Sequence, residues 1–115
     1  RRDKDYGSMT QFNDREKAFE NKFKREEELK FKIVARRNKL LGLWAAEQLA
    51  LDPDSAEAYS KEVVAADFDE PGDEDVLKKV LDDLEGKGVE TSEHLVRKEM
   101  DRLKSVARDQ VMAEN

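Results

Sequence analysis

The residues that could carry out catalysis are few in this 115-residue chain. It has no cysteine and a single histidine, His94, so a thiolate nucleophile is excluded and imidazole chemistry would depend on one side chain. His94 falls at the start of a predicted helix, where a polar residue is common, and no serine or cysteine is arranged beside it. No phosphate-binding loop or dinucleotide fingerprint occurs. The sequence therefore predicts a protein that is not an enzyme.

The most acidic stretch, DFDEPGDED at residues 67–75, is the candidate for a metal site. Aligned as a calcium loop from its first residue, it matches the loop pattern at Asp69, Gly72 and Asp75. Pro71, however, occupies a ligand position, and Lys78 replaces the bidentate glutamate. These two failures outweigh the matches, so we predict no metal site. The stretch is better interpreted as a turn whose acidic residues stabilise the start of the next helix.

A short basic run at residues 36–39 could hold a phosphate group if the fold turned it toward a groove. Arg36 and Arg37 are therefore weak candidates for nucleotide binding. More often such a run forms a solvated helix face that supports neighbouring acidic helices. We favour this second interpretation.

These side chains must be positioned by helices, because the chain shows helical periodicity and no alternating strand pattern. Helix formers run from Asn13 to Leu51 without a proline, and Thr10, Asn13 and Asp14 are candidate caps at the start, with Asn13 at capping-box spacing from Glu16. Three shorter amphipathic segments follow, with Asp54 and Thr91 or Ser92 as predicted caps. Short connections between four such segments predict an all-α protein, an antiparallel four-helix bundle. The predicted core-facing residues are Leu29, Ile33, Val34, Leu40, Leu41, Trp44, Ala45, Leu49, Ala56, Tyr59, Val63, Ala66, Val76, Leu77, Val80, Leu81, Leu84, Leu95, Val96, Met100, Leu103, Val106, Ala107 and Val111.

The first predicted helix changes character halfway along. Its N-terminal part has one narrow aromatic stripe, Phe12, Phe19 and Phe23, at spacings of seven and four, whereas from Leu29 onward the apolar stripe widens. Residues 13–51 as one helix would span roughly 58 Å, and the later helices only about 20 to 30 Å. We therefore expect the first helix to extend beyond its bundle and to carry the three rings with it.

A helix with one narrow apolar stripe in a charged surface is typical of a segment that docks into a groove on a partner. Burial of three phenylalanines stabilises by at most about 6 to 9 kcal/mol. Ordering some fifteen residues would cost about 15 kcal/mol. Docking therefore needs added polar contacts or prior helicity. In the alternative, Phe19 and Phe23 fold back on the bundle.

Charge and composition restrict the partners further. The net charge of −6 divides into +1 over residues 1–8, +4 over residues 9–40 and −11 over residues 41–115. The asymmetry either serves solubility alone or steers the basic segment toward an acidic protein surface. Basic and acidic side chains alternate, so nucleic acid is a poor partner. No apolar run approaches the roughly 20 residues of a bilayer span, so we expect a soluble intracellular protein without membrane insertion.

The chain divides into three predicted parts. Residues 1–8 precede Met9 and are expected to be an appended segment that is not part of the natural sequence. Residues 9–24 form the predicted partner-binding arm, and residues 25–115 form the four-helix bundle.

Four separated blocks stand out together: residues 12–16, residues 18–23, residues 35–42 with Trp44, Ala45 and Ala46, and residues 67–76. In this order they resemble the zeta subunit of alpha-proteobacterial ATP synthases. The similarity covers essentially Met9 to the C-terminus, and four blocks in sequence are specific where any one alone is not.

The resemblance implies a four-helix bundle whose N-terminal segment blocks ATP hydrolysis by inserting at a catalytic alpha/beta interface near the gamma shaft. The partners it implies are the alpha, beta and gamma subunits of the catalytic sector. Location in the cytoplasm, peripheral to the inner membrane through the ATP synthase, follows from it. The inhibitory segment runs from Thr10 to about Phe23, and its predicted partner-binding residues are Phe12, Asp14, Arg15, Glu16, Phe19, Glu20, Lys22 and Phe23. No cofactor is required; weak ATP or ADP binding is implied, but no motif matches it.

Two other functions stay open at this point. One is a small acidic helical bundle that senses a nucleotide or a divalent metal through residues 67–75 or Arg36 and Arg37. The other is an adaptor that acts on no enzyme.

Overall fold

The protein, in a computed structural model, is built from four α-helices. The structure describes residues 2–68 and 72–114, with side chains from residue 16 onward. The helices are α1 (Arg2–Gln48), α2 (Pro53–Ala66), α3 (Glu74–Gly86) and α4 (Glu93–Glu114). Over these residues no strand occurs, which confirms the predicted all-α fold. Nor does any helix in the described part combine the length and apolarity that a bilayer span requires.

The chain forms two structural units. The first ends at Phe31, and the second begins at Lys32 and contains the rest of α1 together with α2, α3 and α4. The functional boundary that we predict between residues 24 and 25 concerns partner binding and stays a prediction.

The core of the second unit takes apolar side chains from all four helices. The apolar residues with no accessible surface are Leu41, Ala45, Ala46, Val63, Val76, Val80, Leu84, Val96 and Ala107. Most of them lie on the apolar faces that the three- and four-residue spacing predicts. Each large aliphatic side chain buried in this way stabilises the fold by about 1.5 to 3 kcal/mol, so this cluster is what holds the helices together.

Side-chain pairs between neighbouring helices show that the bundle is antiparallel. Tyr59 of α2 donates a hydrogen bond from its hydroxyl to Asp83 of α3, at 2.8 Å. Glu62, three residues later in α2, pairs with Lys79, four residues earlier in α3, at 3.5 Å. Because the order reverses between the helices, α2 and α3 run in opposite directions. Burial, together with the bond to Asp83, raises the pKa of the Tyr59 hydroxyl well above its usual range.

The start of α1 differs from the sequence prediction. The helix begins at Arg2 and continues through Asn13, so Asn13 is not its N-cap. The sequence contains no proline before Pro53, and the glycine and asparagine nearest its start, Gly7 and Asn13, weaken a helix too little to end it. The predicted cap was therefore wrong because a capping residue type also occurs inside helices.

The connection between α1 and α2 is fixed by two different caps. Leu51 donates its backbone N–H to the carbonyl of Ala46 at 3.0 Å, with Ala50 in the left-handed region at φ +58°. This is the hydrogen-bond pattern of a Schellman motif. Asp52, and not the predicted Asp54, caps α2 by accepting the backbone N–H of Ser55 at 2.7 Å. The prediction failed because Pro53 prefers the first helical position, which moves the cap one residue ahead of it.

Replacement of Ala50 by glycine is expected to stabilise the protein by about 1 kcal/mol. An alanine in the left-handed region carries a steric cost of about 1 to 2 kcal/mol that glycine avoids, partly offset by the greater entropy of glycine in the unfolded chain. Urea unfolding followed by circular dichroism would measure the change. An Ala58→Gly substitution on the exposed face inside α2 is the matched control and should destabilise by about 1 kcal/mol.

Candidate partner-binding segment

Among the described side chains of the first structural unit, three aromatic rings are more than half exposed: Phe31, at 60%, and two of the predicted partner-binding residues. Phe19 is 73% exposed and Phe23 is 57% exposed. Both belong to α1, whose helical spacing of four residues places them on the same side of the helix. The alternative in which these rings are buried is therefore not the one the structure adopts. Exposed apolar surface of this kind marks sites of protein interaction.

The predicted partner-binding residues fall into two groups. Glu16, Phe19, Glu20, Lys22 and Phe23 are all exposed and all helical. The side chains of Phe12, Asp14 and Arg15 lie outside the part of the chain that the structure describes, although their backbone belongs to α1. The role of both groups in partner binding stays a prediction.

A recess of about 250 Å³ lies on the surface of this segment, lined by Phe19, Lys22, Phe23 and Glu26. Among the described side chains, neither Lys22 nor Glu26 takes part in an ion pair, whereas the neighbouring Glu27 pairs with Lys30 at 3.6 Å. The recess is thus apolar between the rings and carries one positive and one negative charge at its rim. Sequence reasoning missed Glu26, although its distance of seven residues from Phe19 was a signal for it.

The basic run in the second unit is used inside the fold. Arg37, which was interpreted as part of a solvated face, is only 2% exposed. Its guanidinium group donates to Asn38 at 2.9 Å and forms an ion pair with Asp73 at 2.8 Å. Arg36 donates to Gln110 at 2.9 Å and pairs with Glu114 at 2.7 Å, which ties α1 to the end of α4.

These contacts limit how readily Arg36 and Arg37 could bind a nucleotide phosphate. A phosphate could reach Arg37 only by breaking a partly buried ion pair, because the guanidinium group already donates to two protein acceptors. Arg36 is likewise engaged by α4, although it is less buried. Nucleotide binding by Arg36 and Arg37 stays a prediction.

The ion pair between Arg37 and Asp73 leads to a pH prediction. The hydrogen bond from Arg37 holds the pKa of the Asp73 carboxyl below its ordinary value of 3.8. A pKa that is lower in the folded than in the unfolded state adds stability above about pH 4, and this stability is lost as the pH falls through the folded-state value. We expect Asp73→Asn to lower the free energy of unfolding at pH 6 by about 1 to 2 kcal/mol, since the carboxylate is half exposed.

Urea unfolding of both proteins at pH 6 and pH 3 checks this, because the difference between them should shrink at the lower pH. Asp82→Asn, at an exposed position of the same helix, is the control and should leave stability nearly unchanged at both values. A difference between wild type and Asp73→Asn that is the same at both pH values would contradict the role of the ion pair.

The acidic stretch at residues 67–75 is the sequence candidate for a metal site. In the described residues, no group of three or more histidine, aspartate or glutamate side chains is placed to hold a metal ion. Residues 69–71 of the stretch lie outside that description. A groove of about 460 Å³ in the second unit is lined by Trp44, Val89, Leu95 and charged residues that include Lys98. Leu95 was predicted to face the core but is 51% exposed, because it lies one residue outside the buried stripe and lines this groove.

Fold and surface together define an all-helical bundle protein that presents exposed aromatic rings on a charged helix. The sequence pattern of the family described as ATPase inhibitor subunit zeta matches residues 9–110, so the chain belongs to this family. Membership gives it the role of a regulatory subunit that inhibits an ATPase. The resemblance seen in the sequence is thereby confirmed.

A solved structure supports the fold. A protein whose structure was determined by solution NMR is 52% identical in sequence; the similarity covers 76% of this chain and 99% of that one, with a TM-score of 0.67. Among curated proteins, none matches this chain at a significant level.

Proposed function

We propose that this protein inhibits ATP hydrolysis by the catalytic sector of the F-type ATP synthase, using residues 9–24 as an inhibitory arm. The arm inserts at a catalytic alpha/beta interface close to gamma. The observation that carries the proposal is the exposure of Phe19 and Phe23 on a charged helix of a chain in the zeta family. The protein then acts in the cytoplasm, at the periphery of the inner membrane through the ATP synthase.

The energetics of docking favour an arm that is helical before it binds. Burial of the two described rings contributes about 3 to 6 kcal/mol. Ordering a disordered arm would exceed this, at about 1 kcal/mol per residue or more. Residues 9–24 lie inside α1, so a large part of that ordering cost is met before the partner is reached.

The charged side chains beside the rings supply the register of docking. Glu16, Glu20 and Lys22 are exposed, and Lys22 lines the recess together with the two rings. Rim charges of this kind contribute more to orientation and to the rate of association than to affinity. The arm as a whole belongs to the basic part of the chain, which steers it toward an acidic surface.

Inhibition follows if the docked helix acts as a wedge. Hydrolysis requires the catalytic interface to close and reopen as the central shaft turns. A helix held between the subunits binds best to one of these states and therefore shifts the population toward it. The stronger the helix binds this state relative to the others, the smaller the fraction of enzyme that can continue the hydrolytic cycle.

The decisive experiment measures ATP hydrolysis by the isolated catalytic sector of an alpha-proteobacterial ATP synthase with the protein added. We expect the full chain to inhibit and a version starting at Lys24 to have no effect. The full-length double variant Phe19→Ala/Phe23→Ala should need at least about 100 times more protein for half-inhibition, because two buried rings contribute about 3 kcal/mol or more.

The matched control is the double variant Leu95→Ala/Met112→Ala. It removes two exposed apolar side chains of similar exposure from the second unit, 51% and 55%, and should inhibit like the wild type. Circular dichroism of each variant shows whether the bundle is folded. Equal inhibition by the full chain and by the version starting at Lys24 would rule out the arm.

A further inference from the structure

The recess on the first structural unit has the geometry of the hole that receives a side chain of another helix in knobs-into-holes packing. Its four lining residues, Phe19, Lys22, Phe23 and Glu26, stand at positions i, i+3, i+4 and i+7 of α1. In packed helices, four residues at this spacing form the hole that receives one knob from the facing helix. Phe19 and Glu26 lie at the two ends of the hole along the helix axis, and Lys22 and Phe23 lie at its sides.

The alternative elements of a partner fit this surface less well. A β-strand recognises a partner mainly through main-chain hydrogen bonds to an exposed sheet edge, and the described residues contain no strand. The backbone of α1 is hydrogen-bonded within the helix, so only its side chains can make contacts. A helix, in contrast, needs only complementary side chains, and a hole of four residues is the unit by which helices interlock.

The charges on the rim define the partner further. Lys22 and Glu26 are exposed and, among the described side chains, take part in no ion pair. A partner helix of matching chemistry carries an acidic residue that reaches Lys22 and a basic residue that reaches Glu26, one turn apart on either side of its apolar knob.

We infer that the partner element bound by this protein is an α-helix. This helix inserts one large aliphatic side chain between the rings of Phe19 and Phe23, and it crosses α1 at a shallow angle. The inference rests on the proposed function, since it describes how the inhibitory arm is held. It adds the class of the receiving element, the size of the inserted side chain and the charges beside it.

Photo-crosslinking in the complex tests this directly. The chain has no cysteine, so a Lys22→Cys variant of the full-length protein can carry a single benzophenone at the edge of the recess. Irradiation with the intact catalytic sector, followed by mass spectrometry, identifies the partner residues that react. We expect them to be spaced by three and four along one partner segment. A Glu28→Cys variant, on the opposite side of α1, should crosslink about ten times less.

A charge reversal provides the second measurement. Glu26→Lys should raise the concentration needed for half-inhibition about tenfold, because it places two like charges together in the docked state. Glu28→Lys makes the same chemical change at an exposed position away from the recess and should change it less than about twofold.

The outcomes separate the two proposals. Loss of inhibition on truncation at Lys24, with crosslinks spaced by two residues or confined to consecutive residues of a loop, would overturn the inferred helix and leave the inhibitory arm intact. Inhibition that survives the truncation would overturn both. Equal crosslinking from residues 22 and 28 would also reject the recess as the docking site.

Discussion

Leu84→Ala is expected to lower the free energy of unfolding by about 3 to 5 kcal/mol. Leu84 is among the largest side chains in the protein with no accessible surface, and it lies in the cluster that joins the four helices. Truncation removes the transfer free energy of its methyl and methylene groups and leaves a cavity that the packed neighbours can fill only in part. A protein of this size is stable by about 5 to 15 kcal/mol, so the loss is a large fraction of the total.

Urea unfolding followed by circular dichroism measures the effect, and Trp44→Ala provides the informative comparison. From the sequence, Trp44 is predicted to lie in the core, but it is only partly buried and lines the open groove beside Leu95. Leu84 borders the same groove but has no accessible surface. Its truncation opens a cavity that water can enter, so we expect a smaller loss of about 1 to 2 kcal/mol. A larger loss for Trp44→Ala than for Leu84→Ala would show that the groove is closed in solution.

The fold was predictable because its core follows the helical repeat. Val76, Val80 and Leu84 recur every four residues with charged residues between them, and all three are buried. Val96, Met100 and Leu103 in α4 follow the helical repeat at spacings of four and three, and they are buried as well. Repeats of this kind depend only on residues close in the chain, which is why one sequence is enough to find them.

The polar part of the interior was not predictable in the same way. Arg37, Asn38 and Ser60 are buried although their types favour the surface. Arg37 can be buried because Asp73 lies beside it, 36 residues away in the chain. Such a pairing is a property of the folded bundle, so a local pattern carries no signal for it.

The exposure of the two rings in the candidate binding segment was predictable from the sequence, but the target of the segment was not. The narrow stripe of Phe19 and Phe23 predicted apolar side chains with too few apolar neighbours to form a core, and both rings are exposed. The residues alone do not indicate the target, because an exposed ring does not identify the protein that covers it. The target class comes from family membership alone.

The close contact of Gly42 in α1 with α2 leads to the second large effect, which we expect from Gly42→Ala. A methyl group at Gly42 would lie 2.6 Å from Cα of Ser60 and 3.3 Å from Cγ2 of Val63. The first of these atoms belongs to the backbone of α2, so no rotation of a side chain can relieve the contact. α1 and α2 would have to move apart, and the buried side chains around the crossing would lose their packing.

Two opposing terms determine the size of this effect. Alanine favours a helix over glycine by about 1 kcal/mol, which would stabilise α1 if space were available. Overpacking of a core costs about 1 to 3 kcal/mol, and a collision with backbone belongs at the upper end of that range or beyond it. We therefore expect a net loss of about 2 kcal/mol in the free energy of unfolding, measured by urea unfolding.

Gly86→Ala separates the two terms, because it makes the same change near the end of α3, where an added methyl group meets no atom within 4 Å. Without a collision only the helix preference acts, so this variant should be more stable by up to about 1 kcal/mol. Opposite signs for the two substitutions are the expected result. If Gly42→Ala were stabilising as well, α1 and α2 would have to cross at a greater distance, and the burial of Ser60 between them would need another explanation.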